Sequence, residues 1–159
     1  MFTGIGHLAF RVTNLQRSLD FYCNKLGFRE AFRLEREGEP SPWIVYLQIV
    51  PGHFIELFPD DQNVPGSQPP LDPQASYRHF CLLVDDLPAT LQELAGRGLE
   101  ISGSPSEGLD HNLQFWLKDP DGNPIELMQI SPRSPQAAAD AQLRRSHRHH
   151  RWPEESFDH

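Results

Sequence analysis

Hydrophobic and polar residues alternate in the first patterned segment of the chain and recur at helical spacing in the next. Within residues 5–12, the apolar side chains of Leu8, Phe10 and Val12 share one face, which is typical of a strand with one buried side. Residues 15–26 repeat their apolar positions every three or four residues, with Asn14 as N-cap and Gly27 as helix stop. Further strands are predicted near residues 28–37, 43–50 and 53–58. The predicted order is βαβββ.

The same order of elements recurs in the second half of the chain. Strands are predicted near residues 77–84, 99–102, 113–118 and 124–130, and a helix near residues 88–95. Between the last two strands, residues 119–123 (Asp-Pro-Asp-Gly-Asn) predict a tight hairpin, because proline presets φ and glycine can adopt φ > 0. Repetition of a whole unit predicts an α+β protein of two tandem βαβββ modules.

The module boundaries follow from changes in composition. The first module covers residues 4–58 and the second covers residues 76–131, and the proline-rich residues 59–75 between them predict a linker. After residue 131 the periodic pattern ends, so we expect residues 132–159 to form a flexible tail with at most a short helix at 137–145. Its Arg/His-rich run leaves a second interpretation open, a tail that binds metal ions or anions.

Composition narrows the class of protein. A chain of 159 residues with 38% hydrophobic content has the size and core of one compact unit, and a net charge of −8 argues against binding nucleic acid. No apolar stretch is long enough to span a membrane, and we expect a cytoplasmic protein. Cys23 and Cys81 are too few for a secreted disulfide scaffold, so we expect both to be reduced.

The repeat carries four residues that commonly bind metal ions. His7 opens the first strand and Glu56 lies in the last strand of the first module, and His79 and Glu126 have the corresponding positions in the second. The separations are 49 and 47 residues (56 minus 7 and 126 minus 79). Histidine nitrogen and carboxylate oxygen together suit Ni, Co, Zn, Mn or Fe. The alternative is that both glutamates simply face solvent, since an unpaired buried carboxylate would be costly.

Several segments resemble the vicinal oxygen chelate superfamily, which includes glyoxalase I, bleomycin resistance proteins and extradiol dioxygenases. They are Gly6-His7-Leu8, the helix from Leu15 to Tyr22 with Leu26-Gly27-Phe28 after it, His79, and the run from Lys118 to Leu127. The resemblance covers about residues 4–131. It implies that the two βαβββ modules form a curved, mixed-sheet cup.

The ligand set is most similar to that of short, glyoxalase I-like members. The resemblance implies one divalent ion per site, with Ni, Co or Zn favoured and Mn or Fe possible, bound by His7, Glu56, His79 and Glu126. Arg11 matches an arginine that pairs with a glutathione carboxylate. Three positions depart from the pattern and place glutathione itself in doubt: Asp60, Arg78 and Asn123.

The implied chemistry is proton transfer beside a Lewis acid that polarises two adjacent oxygen atoms. We assign the principal base role to Glu126, and to Glu56 the roles of ligand and catalytic partner. Since side chains two residues apart share a face of a strand, we expect four residues to line the pocket for a small-molecule substrate. They are Phe54, Phe58, Cys81 and Met128.

Other activities of the superfamily stay open. One is an iron-dependent extradiol dioxygenase or a thiol transferase, which would need two histidines and one glutamate. Another is a non-catalytic small-molecule binding or resistance protein. We also expect a homodimer, because the linker is long enough to exchange modules between chains. The cup then forms either within one chain or across the twofold interface.

Overall fold

Two four-stranded sheets organise the chain in a computed structural model that describes residues 4–38, 42–59 and 77–147. The first half contains β1 (His7–Val12), α1 (Leu15–Leu19), β2 (Arg29–Leu34), β3 (Ile44–Val50) and β4 (His53–Pro59). The second half contains β5 (Phe80–Leu83), α2 (Leu87–Gly96), β6 (Ser106–Glu107), β7 (Leu113–Lys118) and β8 (Pro124–Gln129). A third helix, α3 (Pro135–His147), follows.

The two sheets have the same topology. Their strand orders are β1-β4-β3-β2 and β5-β8-β7-β6. The pairs β1–β4 and β5–β8 are parallel, and the remaining neighbours are antiparallel. The predicted fold class, an α+β protein of tandem βαβββ modules with mixed sheets, is therefore confirmed.

The helix after β1 is regular only in its first half. Asn14 caps α1 as predicted, since its side chain accepts a hydrogen bond from the Arg17 backbone N–H at 2.9 Å. The segment Asp20–Lys25 is π-helical, and the Leu26 N–H donates to the Phe21 carbonyl at 2.9 Å. The helical span thus agrees with the prediction for residues 15–26, but the wider second half was not foreseen.

One predicted strand is wrong. Residues 99–102 form no strand, and the edge position beside β7 is taken by β6 at residues 106–107. Leu99 and Ile101 are half-buried and pack against the core, so their alternation reflects side-chain packing without sheet pairing. The remaining strands lie where they were predicted, although β5 begins at Phe80 and leaves His79 just before it.

The two modules share a core and a polar contact that we call the module clasp. In the core, the rings of Phe10 and Phe80 lie 5.3 Å apart. The clasp joins the segment 13–22 to the β7–β8 turn at 119–121. Its bonds run from the Tyr22 hydroxyl to Asp119 Oδ2 (2.8 Å), from Thr13 to Asp121, and from Arg17 Nη2 to the Pro120 carbonyl (3.0 Å).

We expect Tyr22→Phe to lower the free energy of unfolding by about 1–3 kcal/mol, because Tyr22 is fully buried and its hydroxyl donates to a carboxylate. Urea denaturation would measure the change. Tyr77→Phe removes the same group from an exposed tyrosine and serves as the control. Equal stability of Tyr22→Phe and the parent would show that the bond from Tyr22 to Asp119 does not stabilise the fold.

The segment after the second module begins with a buried residue and a helix. Ser134 is buried, and its hydroxyl caps α3 by accepting from the Ala137 N–H at 3.0 Å. Most of the predicted linker and residues 148–159 of the predicted tail lie outside the described residues. Of the helices in the described ranges, each is too short or too polar to cross a membrane.

Candidate active site

His7 and Glu56 come together because β1 and β4 are neighbours. In the parallel register, Ala9 lies beside Glu56 and His7 beside Phe54, so the imidazole and the carboxylate share a face. His7 Nε2 lies 3.6 Å from Glu56 Oε1. The Glu56 residue is only 6% exposed, whereas the His7 side chain is 51% exposed. The carboxylate is therefore anchored in the sheet, and the imidazole stands at its surface.

The second module repeats this arrangement with closer contact. His79 Nε2 lies 3.1 Å from Glu126 Oε2, and Glu126 is 7% exposed in the middle of β8. Cys81 is the cross-strand partner of Glu126, where the first module has Ala9 beside Glu56. Each module thus holds one buried glutamate against one more accessible histidine.

Two aromatic residues distinguish the modules, and sequence reasoning missed both. Tyr46 lies across from Glu56 in the β3–β4 pair and donates a hydrogen bond to it, which raises the pKa of Tyr46. Trp116 lies across from Glu126 and touches His79 edge-on, with ring centroids 4.8 Å apart. The signal was in the repeat, because each aromatic precedes its glutamate by ten residues (56 minus 46 and 126 minus 116).

Cys81 behaves as a hydrogen-bond donor to Glu126. Burial of the thiol, the negative charge of Glu126 and the hydrogen bond between them raise the pKa of Cys81 to about 12. The residue as a whole is exposed. A thiol that stays protonated at neutral pH is a poor nucleophile. The arrangement supports a role for Cys81 in lining the site.

The other predicted pocket residues lie on the expected faces. Arg11, Phe54 and Phe58 share the face of Glu56, and Met128 shares the face of Glu126. Arg11 is exposed, the two phenylalanines are half-buried, and Met128 is buried. The residues that were predicted to line one pocket therefore lie on the faces of two separate sheets, one in each module.

The four predicted ligands form two pairs within one chain. Among the described residues, no group of three or more His, Cys, Asp or Glu side chains is arranged to hold a metal ion. We call His7 with Glu56 the first half-site and His79 with Glu126 the second half-site. Each offers one nitrogen and one oxygen donor, which suits half of a site for a mid-series divalent ion.

Comparison with known proteins gives the family. The sequence profile of the Glyoxalase/Bleomycin resistance protein/Dioxygenase superfamily matches residues 4–127. The chain belongs to this superfamily. The match spans both modules and both half-sites, so the resemblance to vicinal oxygen chelate proteins is confirmed at the level of the superfamily.

Relatives within the superfamily carry different activities. Catechol-2,3-dioxygenase of Bacillus subtilis is 30% identical over 137 residues, 83% of this chain, and glyoxalase I of Saccharomyces cerevisiae is 30% identical over 150 residues, 80% of this chain. The chain spans 43% and 45% of their respective lengths. A glyoxalase family protein from Enterococcus faecalis has a solved structure that matches with a TM-score of 0.64 and 26% identity, covering 80% of this chain and 98% of that one.

Proposed function

We propose that the chain is a metal-dependent lyase or isomerase of the glyoxalase I type, acting on a thiol–aldehyde hemithioacetal or a similar substrate with two adjacent oxygen atoms. The observation that carries the proposal is the pair of matched half-sites, each with a histidine beside a buried glutamate. Four such donors correspond to the His, Glu, His, Glu order of glyoxalase I-like proteins, and similarity to yeast glyoxalase I supports the assignment.

The site is completed across a homodimer. Within the described residues one chain offers two donors in each place, and a divalent ion with two protein ligands would be held weakly. A twofold dimer brings the same two surfaces together twice, so the first half-site of one protomer can face the second half-site of its partner. Two identical four-donor sites result from one kind of chain.

Each protein group then has a distinct task. Bound there, a divalent ion would supply Lewis acidity at the substrate oxygen atoms. Glu126 takes a proton from the carbon beside them and returns it to the adjacent carbon. Cys81 holds the Glu126 carboxylate in place by donating a hydrogen bond to it, and His79 beside it would be a ligand of the ion. Glu56, fixed by Tyr46, serves as a ligand on the opposite wall. Arg11 binds a substrate carboxylate.

A second candidate is an iron-dependent extradiol dioxygenase. It is favoured by 30% identity to the catechol-2,3-dioxygenase of Bacillus subtilis. Such an enzyme would need two histidines and one glutamate, so Glu56 would be dispensable. The two candidates therefore differ in their metal ion, in their need for oxygen and in their response to Glu56→Gln.

We expect protein purified without added metal to regain activity with Ni, Co or Zn on the hemithioacetals of methylglyoxal. Glutathione and smaller thiols should both be tried, because Arg78 and Asn123 depart from the glutathione-binding pattern. Asp60, the third departure, lies outside the described residues. Elemental analysis would measure the metal content, and the rise in absorbance of the thioester product would measure turnover. Oxygen uptake with iron and a catechol, without hemithioacetal turnover, would assign the second function.

A further inference from the structure

An open cavity of about 270 Å³ lies beside the second half-site. Its lining consists of Tyr77, Arg78, His79, Trp116 and Pro124. His79 belongs to the proposed metal site, so a molecule held at that site would have this cavity next to it. Apart from His79, the residues that line the cavity have no role in the proposed proton transfer.

The cavity opens on the same sheet face as Glu126. Trp116 is the cross-strand partner of Glu126, and Pro124 precedes Glu126 by two residues on the same strand, so both share its face. Trp116 is 49% exposed despite its size, and its edge contacts the His79 ring. A large aromatic surface left open beside a catalytic group is suited to packing against an apolar part of a ligand.

Arg78 adds a positive charge to this aromatic wall. The residue is exposed, and it makes no ion pair with any residue in ranges 4–38, 42–59 and 77–147. Among the described residues, Arg78 therefore brings to the cavity a positive charge that no carboxylate side chain pairs with, although the whole chain has a net charge of −8. Its guanidinium can bind a carboxylate through two parallel hydrogen bonds.

A second cation extends the same wall. Lys118 pairs with Pro124 across the β7–β8 ladder and lines a neighbouring cavity together with Trp116. Glu100 also lines that cavity, but no ion pair joins it to Lys118 in the part of the chain that the structure describes. Trp116 therefore lines two cavities, one together with Arg78 and the other together with Lys118.

We propose that Arg78 binds a carboxylate of the substrate while Trp116 packs against the flat or apolar group that carries it. The substrate class is then a vicinal-oxygen compound with an acidic aromatic or apolar arm. The reacting end of this substrate rests on the proposed function, whereas recognition of the acidic arm rests on the cavity alone. Arg78 acts as a specificity residue, separate from proton transfer.

The test uses two probes of nearly the same shape, benzoate and benzamide, which differ in charge. Isothermal titration calorimetry on the full chain in EDTA would measure their dissociation constants without any metal. We expect benzoate to bind about tenfold more tightly than benzamide, as a charge-assisted hydrogen bond allows. Arg78→Gln should remove this preference and Arg78→Lys should retain part of it. Trp116→Ala should weaken both probes alike.

Arg144→Gln is the matched control, because it removes the same charge from an exposed position on α3. It should leave both dissociation constants unchanged. The proposal is overturned by undetectable benzoate binding, by equal affinity of the parent for both probes, or by a benzoate preference that survives in Arg78→Gln. If the preference depends on Arg78 but no hemithioacetal is converted with any metal, the acidic-arm cavity stands and the glyoxalase I-type function falls.

Discussion

Glu126→Gln should lower the turnover number for a hemithioacetal by about 10²–10⁴-fold, which is the usual contribution of a general base. The amide has nearly the same shape as the carboxylate but cannot accept the proton. Glu126 is buried in β8 and its Oε2 lies 3.1 Å from His79 Nε2, so a residue of equal size is the appropriate replacement, and the circular dichroism spectrum should equal that of the parent. Steady-state kinetics with the reconstituted protein would measure the loss.

Glu93→Gln is the control for this experiment, since Glu93 is an exposed residue of α2 that pairs only with Arg97 among the described residues. Its turnover number should equal that of the parent. Metal content must be measured on each variant, because a lost ion would mimic a lost base. Full activity of Glu126→Gln beside an inactive Glu56→Gln would exchange the roles of the two glutamates.

Mixing two inactive variants should restore metal binding if the site is shared between protomers. His7→Ala disables the first half-site and His79→Ala disables the second. In a mixed dimer, the intact first half-site of one chain meets the intact second half-site of the other. Half of the randomly paired dimers are mixed, and each has one intact site, so about a quarter of the parent's metal content should return.

The mixture must be unfolded and refolded together, or left until subunits exchange, before equilibrium dialysis against the metal ion. Each variant alone serves as the baseline. His53→Ala mixed with His79→Ala is the control, because His53 lies outside both half-sites and this mixture should hold about half of the parent's metal, the average of the two proteins measured separately. No gain over the separate variants would mean that both half-sites must come from the same chain.

Much of the fold could be predicted because the apolar pattern repeats. Strand β7 at Leu113–Lys118 agrees with the prediction residue for residue, since buried and more exposed side chains alternate there. The pattern failed at residues 99–102, where Leu99 and Ile101 alternate but pack without a strand partner. Periodicity reports which face is buried, and it contains no information about which strand supplies the neighbouring hydrogen bonds.

The candidate site could be predicted only in halves. Spacing within a module identified His7 with Glu56 and His79 with Glu126, because neighbouring strands bring these positions together. The relation between modules depends on long-range contacts such as that of Tyr22 with Asp119, 97 positions away along the chain. Local patterns do not encode such contacts. Tyr46 escaped notice because a tyrosine in a strand is common, and its bond to Glu56 depends on the cross-strand register.

The unlike partners of the two glutamates bear on stereochemistry. The Glu56 carboxylate accepts a hydrogen bond from the Tyr46 phenol and the Glu126 carboxylate accepts one from the Cys81 thiol, so the two acids have different surroundings. Interchangeable carboxylates could deliver a proton to either side of a planar carbon and yield a racemate. In the proposed dimer, unlike walls would distinguish the two prochiral faces, so we expect one enantiomer of the product even though the dimer itself is symmetric.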